Sequence, residues 1–503
     1  MPRSDRSRFD ADRPNILFIH AESMDGRKMG CMGHAASVTP NLDALAEDGV
    51  LFTNAYSTCP VCNPSRASMW SGKYPHVYEC WNNHEGLHED IPTFRDTFDR
   101  AGYLTEAIGP LDYQWGKHSI RDRIGSWTRS ANIERPISRT PLPRIDDGDP
   151  WGADWRRAWQ AIDFMREASA GDRPFMLYLT TGLVHPAFVA STRYMELIDQ
   201  NAIEIPPDLG PLEDTAHPVM RYMRITKNCD TEFTEEIVRE IRHTYFAMIA
   251  TLDELVGQVL AALEDLGLRE STYVIFSSDH GEMAGEHNQI LKRSMYEPSI
   301  HVPLIVSGPD VRQGAQVEAP VSLIDIYPTL MDMARLSYGD YAHHPGYPER
   351  LDGESLMPQL TGDAVRQRDW AFAQYNGDRC NTGAYMLRRG QWKYVKYIGY
   401  EPQLFDLHSD PWEVENLADQ REQVVAELDD LLEGSFDCAA IDAAARAYGR
   451  EAFLRWSERA RADGTYEPTM AHVYSGFDRQ CIEDLRPWTA EDEAQIQRWL
   501  AEG

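Results

Sequence analysis

The sequence predicts an α/β fold: a mainly parallel β-sheet sandwiched by helices, followed by a smaller C-terminal α+β subdomain that contains an antiparallel sheet. Two patterns predict it. Over the first two thirds of the chain, short apolar segments alternate with helical patterns, as in sheets covered on both faces. From about residue 371, closely spaced strand patterns precede helical ones. Since 503 residues exceed what one core usually supports, we predict two units, residues 1–370 and 371–503.

Four short apolar segments predict the strands of the large sheet. An amphipathic helix, with apolar residues at helical spacing between Ile237 and Leu263, precedes the last two. Ligand sites in open α/β sheets lie beyond the carboxyl ends of the strands, so polar clusters after these segments are the candidate site. The strands are predicted at residues 15–20, 175–180, 273–278 and 302–307.

The C-terminal unit has a different pattern. Residues 384–387 and 392–397 flank Arg389-Gly390-Gln391 and predict a β-hairpin. Residues 403–407 predict a further strand, and an acidic helical pattern surrounds residues 422–428. These features predict a small antiparallel sheet with helices.

Residues 203–229 contain Pro206-Pro207 and Gly210-Pro211 and predict a long loop. Long loops in compact domains are often functional. We therefore expect substrate specificity to reside in this loop and around residues 374–381 of the second unit.

Composition restricts the partners. The chain has 49 Lys and Arg against 80 Asp and Glu, a formal net charge of −31, which repels nucleic acid and anionic membranes, so we expect neither as a partner. No apolar run is long enough to span a bilayer, and the first apolar segment is too short for a signal peptide, so we expect a cytoplasmic protein. Eight cysteines are too few for a disulfide scaffold.

Cys62 opens the segment Cys62-Asn63-Pro64-Ser65-Arg66, which continues with small residues to Gly72. Three interpretations are open at this point. With Cys59 it forms a Cys-x-x-Cys pair, which is typical of half a zinc site or of a redox motif. The two could instead be buried structural thiols.

The segment beginning at Cys62 resembles the signature of the sulfatase family, in which a dedicated enzyme converts the cysteine to formylglycine. A narrower resemblance, to one branch of the family, is carried by segments such as Asp25-Gly26-Arg27, Trp81-Asn82-Asn83 and Leu111-Asp112-Tyr113. Further sulfatase-like segments are Thr39-Pro40-Asn41-Leu42-Asp43, Phe52-Thr53-Asn54-Ala55-Tyr56, Ser278-Asp279-His280-Gly281-Glu282, Val321-Ser322-Leu323-Ile324-Asp325 and Leu404-Phe405-Asp406-Leu407.

The resemblance implies an alkaline-phosphatase-like fold and hydrolysis of a sulfate monoester through formylglycine at position 62. It also implies one Ca²⁺ or Mg²⁺ ion and, as a partner, a formylglycine-generating or anaerobic sulfatase-maturing enzyme. We expect the substrate to be a uronate or another small sulfated sugar. Oligomeric state stays open, and a homo-oligomer is possible.

The same resemblance implies the metal ligands. They are Glu22, residue 62 as formylglycine, Asp279 and His280, although a hard cation prefers oxygen to the nitrogen of His280. Relatives usually carry aspartate where this chain has Glu22. Asp25 is an extra or replacement ligand, with the equal alternative that it pairs with Arg27 in a turn.

Arg66 is expected to stabilise anionic oxygens. His185, in Val184-His185-Pro186, matches the family histidine that contacts sulfate and suits proton transfer. The alternative is a structural turn residue. Lys292 matches the family lysine that binds sulfate and protonates the leaving oxygen, and its alternative is a solvated surface lysine.

The largest departure from the family lies at Pro110, where relatives carry a lysine that touches formylglycine and sulfate. Proline supplies neither a donor nor a charge. Lys117 is expected to replace that cation, and His118 keeps its place beside it. His287 and Arg379 are expected at solvated surface positions, with contact to the substrate as the alternative for each.

Two other functions compete with sulfate hydrolysis. Glu22 and Pro110 keep open a phosphonate or phosphate ester hydrolase on the same fold. The lost lysine also keeps open a catalytically weakened homologue that binds a sulfated ligand.

Overall fold

The protein is described here by a computed structural model. The structure describes residues 13–116, 120–136, 142–212, 216–230, 233–362, 368–474 and 488–501.

The strands belong to one large sheet, one four-stranded sheet and two small ones. In chain order they are β1 (Asn15–Ala21), β2 (Gly49–Phe52), β3 (Ala55–Tyr56), β4 (Leu104–Ile108), β5 (Arg144–Ile145), β6 (Phe175–Thr180), β7 (Val189–Ala190), β8 (Thr272–Ser278), β9 (His301–Val302), β10 (Leu304–Ser307), β11 (Ala315–Val317), β12 (Val321–Ser322), β13 (Trp370–Tyr375), β14 (Ala384–Arg389), β15 (Trp392–Tyr397) and β16 (Gln403–Asp406).

The α-helices range from one turn to 31 residues. In chain order they are α1 (Pro40–Glu47), α2 (Cys62–Ser71), α3 (Phe94–Arg100), α4 (Ile120–Trp127), α5 (Gly152–Ser169), α6 (Thr192–Met195), α7 (Pro218–Thr226), α8 (Glu235–Asp265), α9 (Glu297–Ile300), α10 (Ile326–Met333), α11 (Met357–Thr361), α12 (Glu422–Ser435), α13 (Cys438–Ala462), α14 (Tyr466–Val473) and α15 (Ala490–Ala501).

The large sheet confirms the prediction of a mainly parallel architecture. Its strand order is β11-β2-β10-β8-β1-β6-β4. Strand β1 pairs in parallel with β6 and β8, while β10 is antiparallel to both of its neighbours. The segment predicted as one strand at 302–307 is divided between β9 and β10 at Pro303, which has no N–H to donate to a sheet.

Helices cover both faces of the large sheet, as predicted. Alternate side chains of β1 point to opposite faces. Leu17 and Ile19 pack with apolar residues of α1, α5 and α8. Ile16 and Phe18 pack with apolar residues of α2, α3 and α10 on the other face. The fully buried strands therefore hold their carboxyl ends rigidly between two helical layers.

The C-terminal sheet is antiparallel, in the order β13-β14-β15-β16, and includes the predicted hairpin. One face, with Ala373 and Met386, packs with Tyr56 and Val61 of the large unit. The opposite face packs against α12 and α13. The C-terminal sheet thus shares an apolar cluster with the segment that precedes Cys62.

The segment 203–229 was predicted as a loop, and this was wrong for residues 218–226. Helix α7 begins at Pro218, whose missing N–H is harmless in the first turn of a helix. Val219, Met220 and Met223 form its buried face. This face packs on the C-terminal sheet, a partner that local sequence patterns do not show.

The expectation that no segment could span a bilayer also needs correction. Among the described residues, α8 is long and apolar enough to cross a membrane by length and composition. Most of its apolar window is buried inside the protein, where α8 packs beneath the large sheet. A core helix passes the same test, so this feature is weak evidence for a membrane span.

Candidate active site

The carboxyl ends of three neighbouring strands bring distant residues together. Ala21 at the end of β1 is paired with Ser278 at the end of β8, so Glu22 and Asp279 follow at the same edge of the sheet. Thr180 ends β6 beside His20, and His185 follows five residues later. This edge is where the topology predicted the site to lie.

Cys62 is the first residue of α2 and faces this edge. All ten residues of α2 are buried, although the helix is only weakly apolar. Polar contacts account for that burial: the Ser65 hydroxyl donates to the Asp279 carbonyl at 2.6 Å, and the Asn63 amide donates to Asn83 Oδ1 at 3.1 Å. The helix is thereby fixed with its positive N-terminal end at the carboxylates.

The Cys62 thiol has three polar neighbours. Its Sγ lies 3.2 Å from His280 Nε2, 3.6 Å from Glu22 Oε1 and 4.0 Å from Asn83 Nδ2. Burial, reinforced by the charges of Glu22 and Asp279, raises the pKa of the Cys62 thiol to about 12. An unmodified cysteine here is therefore not a reactive thiolate.

Arg66, one helical turn after Cys62, connects three strand ends. Its Nε donates to Asp279 Oδ2 at 2.9 Å, and Nη1 donates to the Pro110 carbonyl at 2.7 Å and to Thr180 Oγ1 at 3.3 Å. Among the described residues its Nη2 has no hydrogen-bond partner, and it lies 3.6 Å from Glu22 Oε2. The NH₂ group at one end of a fixed, buried cation thus lies beside Glu22.

Asp279 and His280 approach the thiol from the end of β8. Burial alone would raise the pKa of Asp279, but His280, Arg66 and the Ser23 amide hold it well below its usual range. Burial lowers the pKa of His280 to about 3. Since His280 Nδ1 lies 2.9 Å from the Gly281 carbonyl, that nitrogen carries the proton and Nε2 offers a lone pair toward Cys62.

Glu22 follows β1 and is almost fully buried. Burial raises the pKa of Glu22 to about 7, although the Arg66 guanidinium acts in the opposite direction. Its Oε1 also lies 4.0 Å from His185 Nε2. Because burial disfavours the charged form of Glu22, a cation bound beside this carboxylate would stabilise it.

His185 and Lys292 form a close pair on the other side of the thiol. Lys292 Nζ lies 2.5 Å from His185 Nε2, and His185 Nδ1 lies against the Pro186 carbonyl. These contacts assign the proton of the imidazole to Nδ1 and make Lys292 the donor to Nε2. Lys292 is 2% exposed, which rules out the alternative of a solvated surface lysine.

Comparisons with known proteins identify the family to which this geometry belongs. The model of the sulfatase family matches residues 14–336. The chain belongs to the sulfatase family. A second model, for the C-terminal part of N-sulphoglucosamine sulphohydrolase, matches residues 285–436. The protein is accordingly a sulfuric ester hydrolase.

Arylsulfatases K are similar to this protein over nearly the whole length of its chain. The Danio rerio protein is 37% identical over 474 residues, which cover 89% of this chain and 88% of its own. The Homo sapiens protein is 36% identical over 477 residues, covering 89% and 87%.

Solved structures confirm the alkaline-phosphatase-like fold. A phosphonate monoester hydrolase of Agrobacterium radiobacter superposes with a TM-score of 0.68 at 26% identity, covering 84% of this chain and 95% of its own. A 2-O GAG sulfatase superposes with a TM-score of 0.64 at 24% identity, covering 84% and 92%.

Sulfatases as a family contain a metal ion, and the residues around Cys62 fit one. Among the described residues, the ligand atoms of Glu22, Cys62 and His185 all lie within 4.8 Å of one another. The same holds for the ligand atoms of Cys62, Asp279 and His280. Two carboxylates, a neutral imidazole and an oxygen of formylglycine in place of Sγ would give mainly the oxygen donors that Ca²⁺ and Mg²⁺ prefer.

Asp25 does not share this group in the structure. Both of its oxygens accept hydrogen bonds from Arg27, from Nε at 3.0 Å and from Nη2 at 2.7 Å. Arg27 Nη2 also lies 3.0 Å from Glu286 Oε2. The pairing with Arg27, which the sequence left as an alternative for Asp25, is the arrangement found.

The structure also shows where some of the residues lie at which this chain departs from the family pattern. Lys117 and His118 lie outside the described residues, so the expected replacement of the lost lysine stays a prediction. The carbonyl of Pro110 accepts a hydrogen bond from Arg66, which gives this residue an orienting role through its backbone. Cys59 is buried and belongs to neither ligand group found among the described residues, which disfavours a zinc half-site.

His287 and Arg379 were predicted at the surface, and this was wrong. His287 is 9% exposed, stacked on Tyr296 and paired with Asp208 at 2.8 Å. Arg379 is 5% exposed and pairs with Asp378. Both belong to irregular segments, whose burial is set by tertiary packing that periodicity does not reveal.

Two residues of the site, Asn83 and Asp112, were not predicted from the sequence to belong to it. Asn83 contacts the thiol, and the charge of Asp112 acts on both Glu22 and Arg66. The signals were present, because Trp81-Asn82-Asn83 and Leu111-Asp112-Tyr113 were noted as family-like segments. Neither had a chemical role assigned to it.

Proposed function

We propose that this sulfatase hydrolyses a sulfate monoester of a uronate or small sulfated sugar, with formylglycine at position 62 and one divalent cation. The observation that carries the proposal is the convergence of Glu22, Asp279, His280, Arg66 and Lys292 on the side chain of residue 62. These residues come from four separate parts of the chain and are all buried.

The roles of the chain's own residues follow from their contacts. A formylglycine at position 62 would supply a hydrated aldehyde, whose two hydroxyls would provide a nucleophile toward sulfur and a second oxygen for the release of sulfate. A cation bound by Glu22, Asp279 and His280 would neutralise charge on the sulfate oxygens. Arg66 offers its Nη2 to an anionic oxygen, in the region where relatives use the lysine missing at Pro110.

Lys292 is the better candidate for protonating the leaving oxygen. One of its N–H groups is donated to the neutral His185 Nε2, which leaves two for the substrate. His185 orients the ammonium group through this bond, and its own proton is turned toward Pro186. Proton donation at the bridging oxygen matters most when the leaving group is a sugar alkoxide.

Maturation is proposed to precede folding. Cys62 is 2% exposed and already within α2, so an enzyme could not reach it in the folded chain. The partner is proposed to be a formylglycine-generating or anaerobic sulfatase-maturing enzyme that acts on the extended segment.

The test is a sulfate-release screen on protein co-expressed with a maturing enzyme. The panel contains sulfated hexuronates, neutral sulfated hexoses and a nitrophenyl sulfate. We expect sulfate release, with at least one sulfated sugar acid among the best substrates. Release from neutral hexoses alone would contradict the sugar-acid part, and no release would contradict the reaction.

A phosphonate ester hydrolase is the second candidate. It is favoured by the similarity to the Agrobacterium radiobacter phosphonate monoester hydrolase and by the missing lysine at Pro110. Matched nitrophenyl esters of sulfate and of methylphosphonate separate the two. We expect the sulfate ester to have the higher kcat/KM, and a strong phosphonate preference would select the second candidate.

A further inference from the structure

Lys292 reaches His185 from a long segment between β8 and α9. We call residues 281–292 the Lys292 loop. This loop contains one short turn, Glu286–Asn288, and is otherwise irregular. The position of the Lys292 ammonium group, 2.5 Å from His185 Nε2, therefore depends on what holds the loop in place.

Backbone hydrogen bonds join the two sides of the Lys292 loop. The Met283 amide donates to the Leu291 carbonyl at 3.0 Å, and the Gly285 amide donates to the Gln289 carbonyl at 2.8 Å. Glu286 thus lies at the tip of the loop, and the returning side ends at the catalytic lysine. A shift of the tip would be transmitted to the ammonium group along this bonded backbone.

The backbone of the loop is strained, so the loop does not hold this shape by itself. Four of its non-glycine residues, Ala284, His287, Asn288 and Leu291, have positive φ angles of 42°, 52°, 52° and 62°, a region that such residues rarely adopt. Strained conformations persist only when the surrounding structure over-determines them. Contacts between the loop and the rest of the protein consequently decide where the lysine lies.

Three cations bind the side chain of Glu286, which is 1% exposed. Arg27 Nη2 lies 3.0 Å from Oε2, while Lys28 Nζ and Arg242 Nη1 each lie 3.3 Å from Oε1. Both carboxylate oxygens are thus held by charged groups. Because a buried charge is very unfavourable without its partners, the side chain cannot leave this position without a large loss of free energy.

The three cations are themselves fixed in the protein. Arg27 Nη2 donates to the Asp25 carboxylate at 2.7 Å, in the segment after β1 that also carries the first metal ligand. Arg242 belongs to the buried face of α8. The indole ring of Trp412, which follows β16, lies 5.8 Å from Lys28 Nζ and 5.6 Å from Arg242 Cζ, a favourable cation–π arrangement. Glu286 therefore ties the tip of the loop to rigid parts of the fold.

The other side of the tip contacts the irregular segment 208–210. His287 pairs with Asp208 at 2.8 Å, and the Gly210 amide donates to Asn288 Oδ1 at 2.9 Å. The Asp208 side chain is 23% exposed, and its segment is itself a loop. These contacts join one loop to another, whereas the ion pairs of Glu286 join the loop to β1 and α8.

We propose that Glu286 is a positioning residue for Lys292. Its ion pairs with Arg27, Lys28 and Arg242 fix the tip of the Lys292 loop and so place the ammonium group at the leaving oxygen. The proposal rests on the proposed function, in which Lys292 protonates that oxygen. A misplacement of about 1 Å can lower the rate of a reaction by about a hundredfold, so a residue remote from the substrate can control this step.

The test compares two substrates: nitrophenyl sulfate and the sugar sulfate with the highest kcat/KM in the release screen. We compare wild type with Glu286→Gln, which keeps the size of the side chain and removes its charge. Asp253→Asn is the matched control. Asp253 is also a buried carboxylate, 2% exposed, and lies on α8 like Arg242, but it accepts its hydrogen bonds from the start of α1, at 2.8 Å from the Leu42 amide.

Glu286→Gln should lower kcat for the sugar sulfate by about tenfold or more, with little change in KM. The loss should be smaller for nitrophenyl sulfate, whose leaving group needs no proton. Asp253→Asn should keep the wild-type ratio of the two kcat values, even where urea unfolding shows a comparable loss of stability. A purely structural role of Glu286 would lower both kcat values by the same factor, and that result would overturn the proposal.

The double variant Glu286→Gln with Lys292→Met shows whether Glu286 acts through the lysine. Its ratio of the two kcat values should equal that of Lys292→Met alone, because the group that Glu286 positions is then absent. A further fall in the ratio would overturn the proposal. If Glu286→Gln does not fold, Glu286→Asp takes its place, since it keeps the charge but is one methylene shorter. It should also lower the ratio, and the wild-type ratio in this variant would overturn the proposal.

Failure of the proposed function would look different. No sulfate release from either substrate by wild-type protein that contains formylglycine would overturn the proposed reaction itself. An unchanged ratio in Lys292→Met would overturn the proton transfer assigned to Lys292, and the role of Glu286 with it. A changed ratio in Lys292→Met, together with an unchanged ratio in Glu286→Gln, would overturn only the role of Glu286.

Discussion

Two buried ionic groups in this protein differ in where their charges are directed. At the junction of the C-terminal sheet with helix α9, Lys393 Nζ lies 3.0 Å from Glu297 Oε1 and also pairs with Glu413, while Glu413 Oε2 accepts a hydrogen bond from the Glu297 amide at 2.6 Å. Tyr56, Arg388 and His301 also belong to this junction network. Around Cys62, by contrast, Glu22, His280 and Asn83 all contact one side chain.

The difference separates charged residues that stabilise the fold from charged residues that take part in the reaction. In the junction network, charges from both units bind one another and hold the C-terminal sheet on the large unit. At the active site, the same kinds of side chain direct lone pairs and N–H groups toward the reacting residue. Removal of a junction charge should therefore affect stability, whereas removal of an active-site group should affect turnover.

The largest expected effect is that of Cys62→Ala. Loss of the nucleophile should lower kcat by about a thousandfold or more, because no other described residue at this point can replace its hydroxyls. Folding should be nearly unchanged, since alanine fits the first turn of α2. Sulfate release and thermal unfolding measure the two effects, and substantial residual turnover would contradict the proposed nucleophile.

Replacing one buried aspartate at a time should show which of the two, Asp279 or Asp25, binds the metal ion. Asp279→Asn should reduce bound divalent metal by about tenfold or more, as loss of a ligand does in other metal sites. Asp25→Asn should keep the metal, because the Asp25 carboxylate is bound by Arg27. Metal per folded protein, measured by elemental analysis, checks the difference, and loss of metal in Asp25→Asn would contradict it.

Breaking the junction network should lower stability. Lys393→Met leaves Glu297 and Glu413 buried without their shared cation and should lower the free energy of unfolding by about 3–5 kcal/mol. Lys396→Met is the control on the same strand, where a partly exposed ion pair contributes about 0–1 kcal/mol. Urea unfolding measures the free energy of unfolding of both variants. Similar losses in Lys393→Met and Lys396→Met would contradict a special contribution of the junction network to stability.

The role of Lys292 should appear in the dependence on the leaving group. Lys292→Met is expected to lower kcat/KM for a sugar sulfate by about 10²-fold or more, as for loss of a general acid. The loss should be smaller for nitrophenyl sulfate, whose leaving group needs no proton. Equal losses on both substrates would indicate that Lys292 only binds sulfate.

The smallest expected effect concerns pH. Burial alone would raise the pKa of Glu297, but Lys393 and His301 hold it well below its ordinary value of 4.5. The folded-state pKa is thus depressed, so this carboxylate stabilises the protein above about pH 4.5, and the contribution is lost as pH falls through the folded-state value. Between pH 7 and acidic pH, wild type should lose more unfolding free energy than Glu297→Gln, and an equal loss would contradict this assignment.

The sequence predicted the large sheet well because its strands are continuous apolar segments and because parallel strands place their ends at one edge. That reasoning brought Glu22, Asp279 and His185 to one place before any distance was known. The pairing of Lys292 with His185 joins residues 107 positions apart, which no local pattern reports.

The errors have physical causes as well. Pro218 lies in a segment predicted as a loop, although proline is well accommodated in the first turn of a helix. Arg379 and His287 were assigned to the surface because charged residues in irregular segments are usually solvated. Their burial depends on tertiary contacts, since the Arg379 carbonyl accepts a hydrogen bond from Thr226 of α7 and His287 stacks on Tyr296.

The most direct test of the account measures residue 62 and turnover in the same samples. Protein is produced with increasing amounts of a maturing enzyme, and the peptide that contains Cys62 is analysed by mass spectrometry. We predict that the rate of sulfate release rises in proportion to the fraction of formylglycine and extrapolates to zero without it. Full activity in protein whose Cys62 is unmodified would contradict the account.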